Sequence, residues 1–419
     1  MKASDVFTPG RFPSVTFVKD HIEDKQVRLK DILEAGATVV SLSGPSKSGK
    51  TVFVENTVGR DNLVHVTGSG VDSPDKLWMR VFNFLETPLA QSAATGINLS
   101  GTLSGKAGGE TNWLVAKGKA EVSGSASLAV TKSETNGYSI DCLQVLIKEL
   151  SGTGLVLFID DFHYMPRQVQ EDVSRQIKEA IRNDVKIVCA SVPYHSDDVL
   201  RANPDLSGRI EQIDFDFWRE DFLVKIAEKG FSKLYIAYDS DFMLRLAREA
   251  AGSPQLMQTI CLNACFESGQ REAAEACFRL PNTDDFFRKV CIRTCSSVLF
   301  NSAYEAMKEG PKTRGNQRTA YILKDGTTCD VYPIILRAMA NDPPKLTIRY
   351  SDLQERIGNL CSGDTPSGSS VTGACDHMAR LANAAARNCI IEWDSESDVL
   401  DIRDPHFLFF LRWSEYVER

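Results

Sequence analysis

The sequence has no CxxC cysteine pair, no positively charged start followed by an apolar stretch, and no long apolar run. Nothing in it approaches the roughly 18 consecutive apolar residues of a membrane-spanning helix, so neither a secretory leader nor a membrane partner is expected. The eleven cysteines therefore read as reduced thiols of a cytoplasmic chain. Cys261/Cys265 and Cys291/Cys295 stand four apart inside helical patterns, as buried small residues would. The six histidines (21, 65, 163, 195, 377, 406) are scattered along the chain. No metal-ligand set closes on them, and no nucleophile–base pair suggests a second enzymatic centre. A basic surplus is missing too: the net charge is −8, which argues against a nucleic-acid-coated protein but leaves room for a local basic patch.

What is present is ordinary globular composition, with 42% hydrophobic and 25% charged residues. At 419 residues the chain is too long for one core, and two or three domains are expected. A helix, KQVRLKDILEAG, ends at Gly36. Ala37–Ser43 is a short buried strand, and Thr51–Val58 begins the next helix. Further strands are expected at Leu63–Thr67, Leu155–Ile159 and Val185–Ala190, with helices at Ser73–Leu85, Ile140–Leu150 and Arg167–Arg182. This alternation predicts an α/β fold with a parallel sheet covered on both faces. From Glu220 to about Met307 the pattern is helical throughout. Beyond the breaker-rich stretch 309–318, helices at Tyr332–Ala340, Ser351–Ile357 and Val371–Ala386 precede strands Ile390–Trp393 and Val399–Ile402. That order is the order of a winged helix.

The chemistry is concentrated in GPSKSGKT, where Gly44, Gly49, Lys50 and Thr51 fit GxxxxGK[ST] between a β-branched strand and a helix. The backbone N–H groups of Gly44, Pro45, Ser46, Lys47, Ser48, Gly49, Lys50, Thr51 and Val52 (proline excepted) belong to a loop built to cradle phosphates. Lys50 would bridge the β- and γ-phosphates of ATP, and the Thr51 hydroxyl would hold Mg²⁺. In LVLFIDDF, Asp160 ends a buried strand and is placed to hold the same Mg²⁺ through water. Asp161 is the candidate base that orients an attacking water; an acidic turn after a strand is the plain alternative. Ser191, ending the strand VKIVCAS, is a candidate γ-phosphate sensor or simple turn chemistry. Arg209, before the strand-like IEQIDF, is either an arginine finger for a neighbouring subunit or a solvated surface arginine, and Arg201 precedes it.

Taken in order, these segments resemble the AAA+/STAND superclass of P-loop ATPases. The likeness is to the branch with origin-recognition initiators, archaeal winged-helix ATPases and bacterial conflict-system ATPases. The resemblance implies a P-loop ATPase domain over 1–218, a helical lid over 219–308 and a winged helix over 309–419. It places Gly252 and Pro254 of AAGSPQLMQ near the adenine, and LDIRDPHFLFFLRW is similar to the ending of winged-helix ATPases. Where many AAA+ proteins carry a sensor arginine after this turn, the chain has Gln255. That departure implies a slow ATPase acting as an oligomerising switch. The bacterial relatives further imply a place in anti-phage defence or mobile-element biology, with any effector activity on a separate protein.

Residues 88–137 interrupt the ATPase pattern. The runs 97–107 and 114–130 alternate with period two around Gly108-Gly109, as a β-hairpin would. Its Gly/Ala-rich face buries little area, so the hairpin wants a partner. A ring of hairpins from several subunits is the preferred reading; packing on its own core, a membrane barrel and nucleic-acid contact remain alternatives. Residues 311–349 hold seven Lys/Arg against three Asp, a modest signal for DNA contact beside the alternative of an ordinary solvated face.

Overall fold

The structure is a computed structural model that describes residues 1–87, 130–132, 138–192, 203–295, 300–312, 315, 317–386 and 389–417. The expected hairpin over 97–130 lies outside the described residues up to 129, as do Arg201 and Arg314. No described helix is long and apolar enough to cross a membrane. The chain falls into two compact units: residues 22–44 with 50–214, and residues 1–21 and 45–49 with 215–419.

The first unit opens with α1 (Glu23–Ala35), which stops where Gly36 takes φ 70, a conformation that favours glycine. Strand β1 (Val39–Ser43) follows, buried along its whole length. Then come α2 (Lys50–Val58), β2 (Leu63–Thr67) and α3 (Pro74–Phe84). A small antiparallel pair, β3 (Val130–Lys132) and β4 (Tyr138–Ile140), precedes α4 (Cys142–Leu150). Asp141 starts α4 as its cap, accepting from the N–H groups of Leu143 and Gln144. The unit closes with β5 (Val156–Asp160), α5 (Arg167–Arg182), β6 (Lys186–Ser191) and β7 (Ile210–Asp214).

Five of these strands form a sheet in the order β2-β5-β6-β1-β7, all parallel. Its inner strands are mostly apolar and almost wholly buried, as burial on both faces requires. Trp78, Val81 and Phe82 of α3, Leu146 of α4 and Val173 and Ile177 of α5 share one core with Leu157 and Ile159 of β5. The expected parallel α/β sheet is therefore the observed one.

In the second unit, α6 (Glu220–Lys233), α7 (Ser240–Glu249), α8 (Pro254–Glu267) and α9 (Asp284–Thr294) build a helical core. The region is not helical throughout, as its pattern predicts: β8 (Ile236–Ala237) and β9 (Phe278–Arg279) pair in parallel. Gly269 at φ 81 follows α8, and Thr283 starts α9 as its cap, accepting from Phe286 N. Residues 1–21 also belong here, although the sequence reading attaches them to the ATPase domain. A short helix, Ala3–Val6, leads Phe7 to within 5.1 Å of the Phe231 ring. Gly230 makes room for it, since a Cβ there would lie 2.3 Å from the Phe7 ring.

The C-terminal part follows with α10 (Asn301–Glu309) and a two-stranded pair, β10 (Tyr321–Ile322) and β11 (Thr328–Cys329), that the pattern does not announce. Next are α11 (Val331–Ala340), β12 (Thr347–Arg349), α12 (Tyr350–Leu360) and α13 (Gly368–Ala386). Strands β13 (Ile391–Asp394) and β14 (Val399–Ile402) join β12 in an antiparallel sheet of order β12-β14-β13. Helix α14 (Pro405–Trp413) then buries Phe407, Leu408, Phe409, Phe410 and Leu411.

Candidate nucleotide site

Parallel register sets the site. Ser43 stands opposite Ser191, Ile159 opposite Cys189, and Thr67 opposite Asp160. The carboxyl ends of β1, β6, β5 and β2 therefore share one sheet edge, where α/β proteins place their ligands. The loop after β1 turns with Lys47 at φ 63 and Gly49 at φ 97, and α2 starts at Lys50.

Lys50 is buried and its Nζ donates to Gly44 O at 2.7 Å. Burial pulls its ammonium down to about 8, against the opposing charges of Asp160 and Asp161. The Thr51 hydroxyl donates to Asp160 Oδ2 at 2.6 Å, and His65 Nε2 lies 3.5 Å from the same oxygen. Burial works against the Asp160 charge, but the hydrogen bonds from His65 and Thr51 outweigh it and hold the carboxyl below its ordinary range. Asp161 goes the other way: burial, then the charge of Asp160, raises it. Its backbone is left-handed, φ 55 and ψ 37, and a hydrogen bond from the Thr67 side chain to its carboxyl opposes the rise in part. Gly68 allows the close approach of this turn, because a Cβ there would lie 2.7 Å from Asp161 O.

Ser191 is buried at the end of β6. The following N–H, of Val192, donates to His163 Nδ1 at 3.4 Å. Burial, and next the positive charge of Lys50, push His163 down to about 4, so the ring is neutral near pH 7 with its proton on Nε2. Sequence reasoning left His65 and His163 isolated, whereas the fold brings both to the Asp160 turn. Only the pairing of β2 with β5 could have signalled His65.

Arg209 is not brought to this edge. Val39 N donates to Arg209 O at 2.9 Å, and Val39 is level with Ile210. Arg209 thus sits at the amino end of the sheet, about 15 Å of strand from the loop.

Residues 45–49 belong to the other unit. There Trp218 Nε1 donates to Ser48 O at 3.0 Å, and Trp218 N donates to Gly252 O at 2.9 Å. Gly252, at φ 78, could not carry a side chain, since its Cβ would meet Phe217 Cβ at 2.6 Å. Pro254 is the first residue of α8, which Ser253 caps through Leu256 N. Gln255 Oε1 is buried without a hydrogen-bond partner, as is Ser48 Oγ.

The donor set fits Mg²⁺ and a phosphate chain. Two hard oxygens, on Thr51 and Asp160, already converge, and Ser48 Oγ is an orphaned polar atom in the loop. Among the described residues no cluster of three or more His, Cys, Asp or Glu could cage a metal.

No family model matches the chain, and no curated protein matches it. Among solved structures, the chain is similar to a Walker-type ATPase of Pyrococcus abyssi, with 13% identity over 93% of this chain and 95% of that one, at a TM-score of 0.53. It is also similar to the ORC2 protein of Aeropyrum pernix, solved as ADPNP-ADP complexes, with 13% identity over 97% and 96% and a TM-score of 0.50. At such identities the likeness is one of fold. The chain shares that fold with a Walker-type ATPase and with an ORC2 protein.

Proposed function

We propose that the protein binds and hydrolyses ATP and acts as an ATP-dependent oligomerising switch. The observation that carries this is the convergence of Lys50, Thr51 and Asp160 at one sheet edge beside the glycine-bearing loop. Lys50 would exchange Gly44 O for phosphate oxygens, which restores a full charge to an ammonium that burial penalises. Bound Mg²⁺ would neutralise phosphate charge, with Thr51 and Asp160 as its protein ligands. Asp161 would accept the proton of the attacking water, and Ser191 would report the γ-phosphate. Arg209, at the far end of the sheet, is unsuited to its own subunit's loop and suits a neighbour's. The helical lid over 219–308 and the winged helix over 309–419 remain part of this reading, the latter supported by the sheet order β12-β14-β13. A role in defence or mobile elements, or a separate effector, rests on resemblance alone.

Light scattering with and without ATP·Mg²⁺ tests the proposal. Wild type should enlarge with nucleotide and Lys50→Ala should not; a particle size indifferent to nucleotide in both defeats the switch. If size responds but no phosphate is released, ATP serves as a structural ligand of a scaffold.

The helix–strand–helix–helix–hairpin order of 331–402 supports a second reading, contact with duplex DNA. Two observations weigh against it. In the basic stretch, Arg318, Arg337 and Lys345 are paired with Asp330, Asp325 and Asp352 at 2.8, 2.6 and 2.7 Å. Asp394 ends β13, and the turn to β14 carries Glu396 and Asp398, which would repel phosphates. Salt-sensitive DNA binding that drops on Arg314→Ala/Arg318→Ala would favour this reading; no binding at low salt would end it.

A further inference from the structure

Lys47 is the phosphate-loop residue whose side chain is committed elsewhere. Its Nζ donates to both carboxylate oxygens of Asp404 at 2.9 Å. His406 Nδ1 lies 3.3 Å from the same Nζ and 3.4 Å from Asp404 Oδ1. Asp404 also caps α14, accepting from His406 N at 3.0 Å. The two side chains are 31% and 13% exposed, so the pair is better shielded than a surface ion pair. Burial opposes the Asp404 charge, yet His406 and Lys47 prevail and hold the carboxyl at about 2. One residue on, Trp218 grips the loop at Ser48 O, 3.0 Å away. The loop is thus tied at two consecutive residues.

We propose that Asp404, through Lys47, clamps the phosphate loop to helix α14 and holds it in its nucleotide-receiving shape, which makes Asp404 a positioning residue for ATP. The proposal rests on the ATP-binding reading above. A loop whose N–H groups must converge on phosphate oxygens gains affinity when that geometry exists before binding. Lys47 is in the left-handed region, φ 63, a conformation that persists only where surrounding contacts hold it. The clamp also withdraws the Lys47 ammonium from the phosphates, leaving Lys50 as the loop's phosphate cation.

The test is a double-mutant cycle on the full chain, reading the affinity for a fluorescent ATP analogue with Mg²⁺. Asp404→Asn removes the charge while keeping a good helix cap; Lys47→Met removes the other partner, and Lys47→Arg keeps the pair. Each of the first two should weaken binding about tenfold, within the range of coupled neighbours, and Lys47→Arg should stay near wild type. The double variant should be no weaker than the weaker single. Losses that multiply in the double variant overturn the clamp. So does tighter binding by Asp404→Asn, which would mean that Lys47 serves phosphate once released. Melting of the nucleotide-free variants checks that they are folded; should Asp404→Asn fail, Lys47→Met against Lys47→Arg carries the same test. If wild type binds no analogue, the ATP reading itself falls and the clamp with it. If wild type binds and the cycle is additive, the clamp alone falls.

Discussion

At Lys50, burial and charge pull against each other, and the balance can be read through pH. Its folded pKa of about 8 lies below the ordinary 10.5, so between these values the unfolded chain binds more protons. Stability of the nucleotide-free protein therefore carries a full penalty from this group below pH 8, relieved as pH rises toward 10.5. The penalty is on the order of 3 kcal/mol. Lys50→Met should melt higher than wild type at pH 7, with the gap closing by pH 10, while losing ATP binding. Asp161 offers a second handle. Because burial and Asp160 raise its carboxyl above 3.8, the acid limb of ATP hydrolysis should sit above the usual aspartate range. Asp161→Asn should cut turnover by about a hundredfold or more and leave analogue binding within a factor of about two.

Among the elements, α7 and α14 are joined by a charge pair that sequence spacing does not reveal. Arg412 donates to both oxygens of Glu249, at 2.8 and 2.7 Å, and Trp413 Nε1 adds a third bond at 2.6 Å. Both charged side chains are almost fully buried, 8% and 7% exposed. Arg412→Met should cost about 3 kcal/mol by stranding the Glu249 charge, whereas Arg412→Met with Glu249→Leu should recover much of it. Denaturant melts of the three variants separate these outcomes. Helix α4 makes a milder case: Asp141→Ala removes its cap and should cost about 1 kcal/mol. The sheet strands were legible because short, mostly apolar β-branched runs such as VVSLS and VLFID have one stable home, between two helical layers. The two-residue strands β8 to β11 were not, since so short a pairing leaves no periodicity and is decided by what packs beside it.

For the whole molecule, Arg209 supplies the sharpest expectation. Placed at the amino end of β7, it should matter only in trans: Arg209→Ala should bind ATP normally but hydrolyse it slowly. Mixing Arg209→Ala with Lys50→Ala subunits should restore part of the activity, because a mixed interface can pair an intact loop with an intact arginine. No recovery in the mixture would return Arg209 to the status of a surface residue. The sequence by itself marked the glycine-bearing turn after β1 and the Asp160-Asp161 pair at the end of β5, because a glycine-bearing turn between strand and helix and a strand-ending carboxylate are local patterns. It also determined that the sheet is parallel. Which residues keep company with them was decided only by tertiary structure. His65 reaches Asp160 through strand pairing, His163 takes the N–H after Ser191, and Lys47 finds Asp404 across 357 residues of chain. Such contacts leave no trace in spacing or composition, because they depend on which strand lies next to which and on where a helix ends.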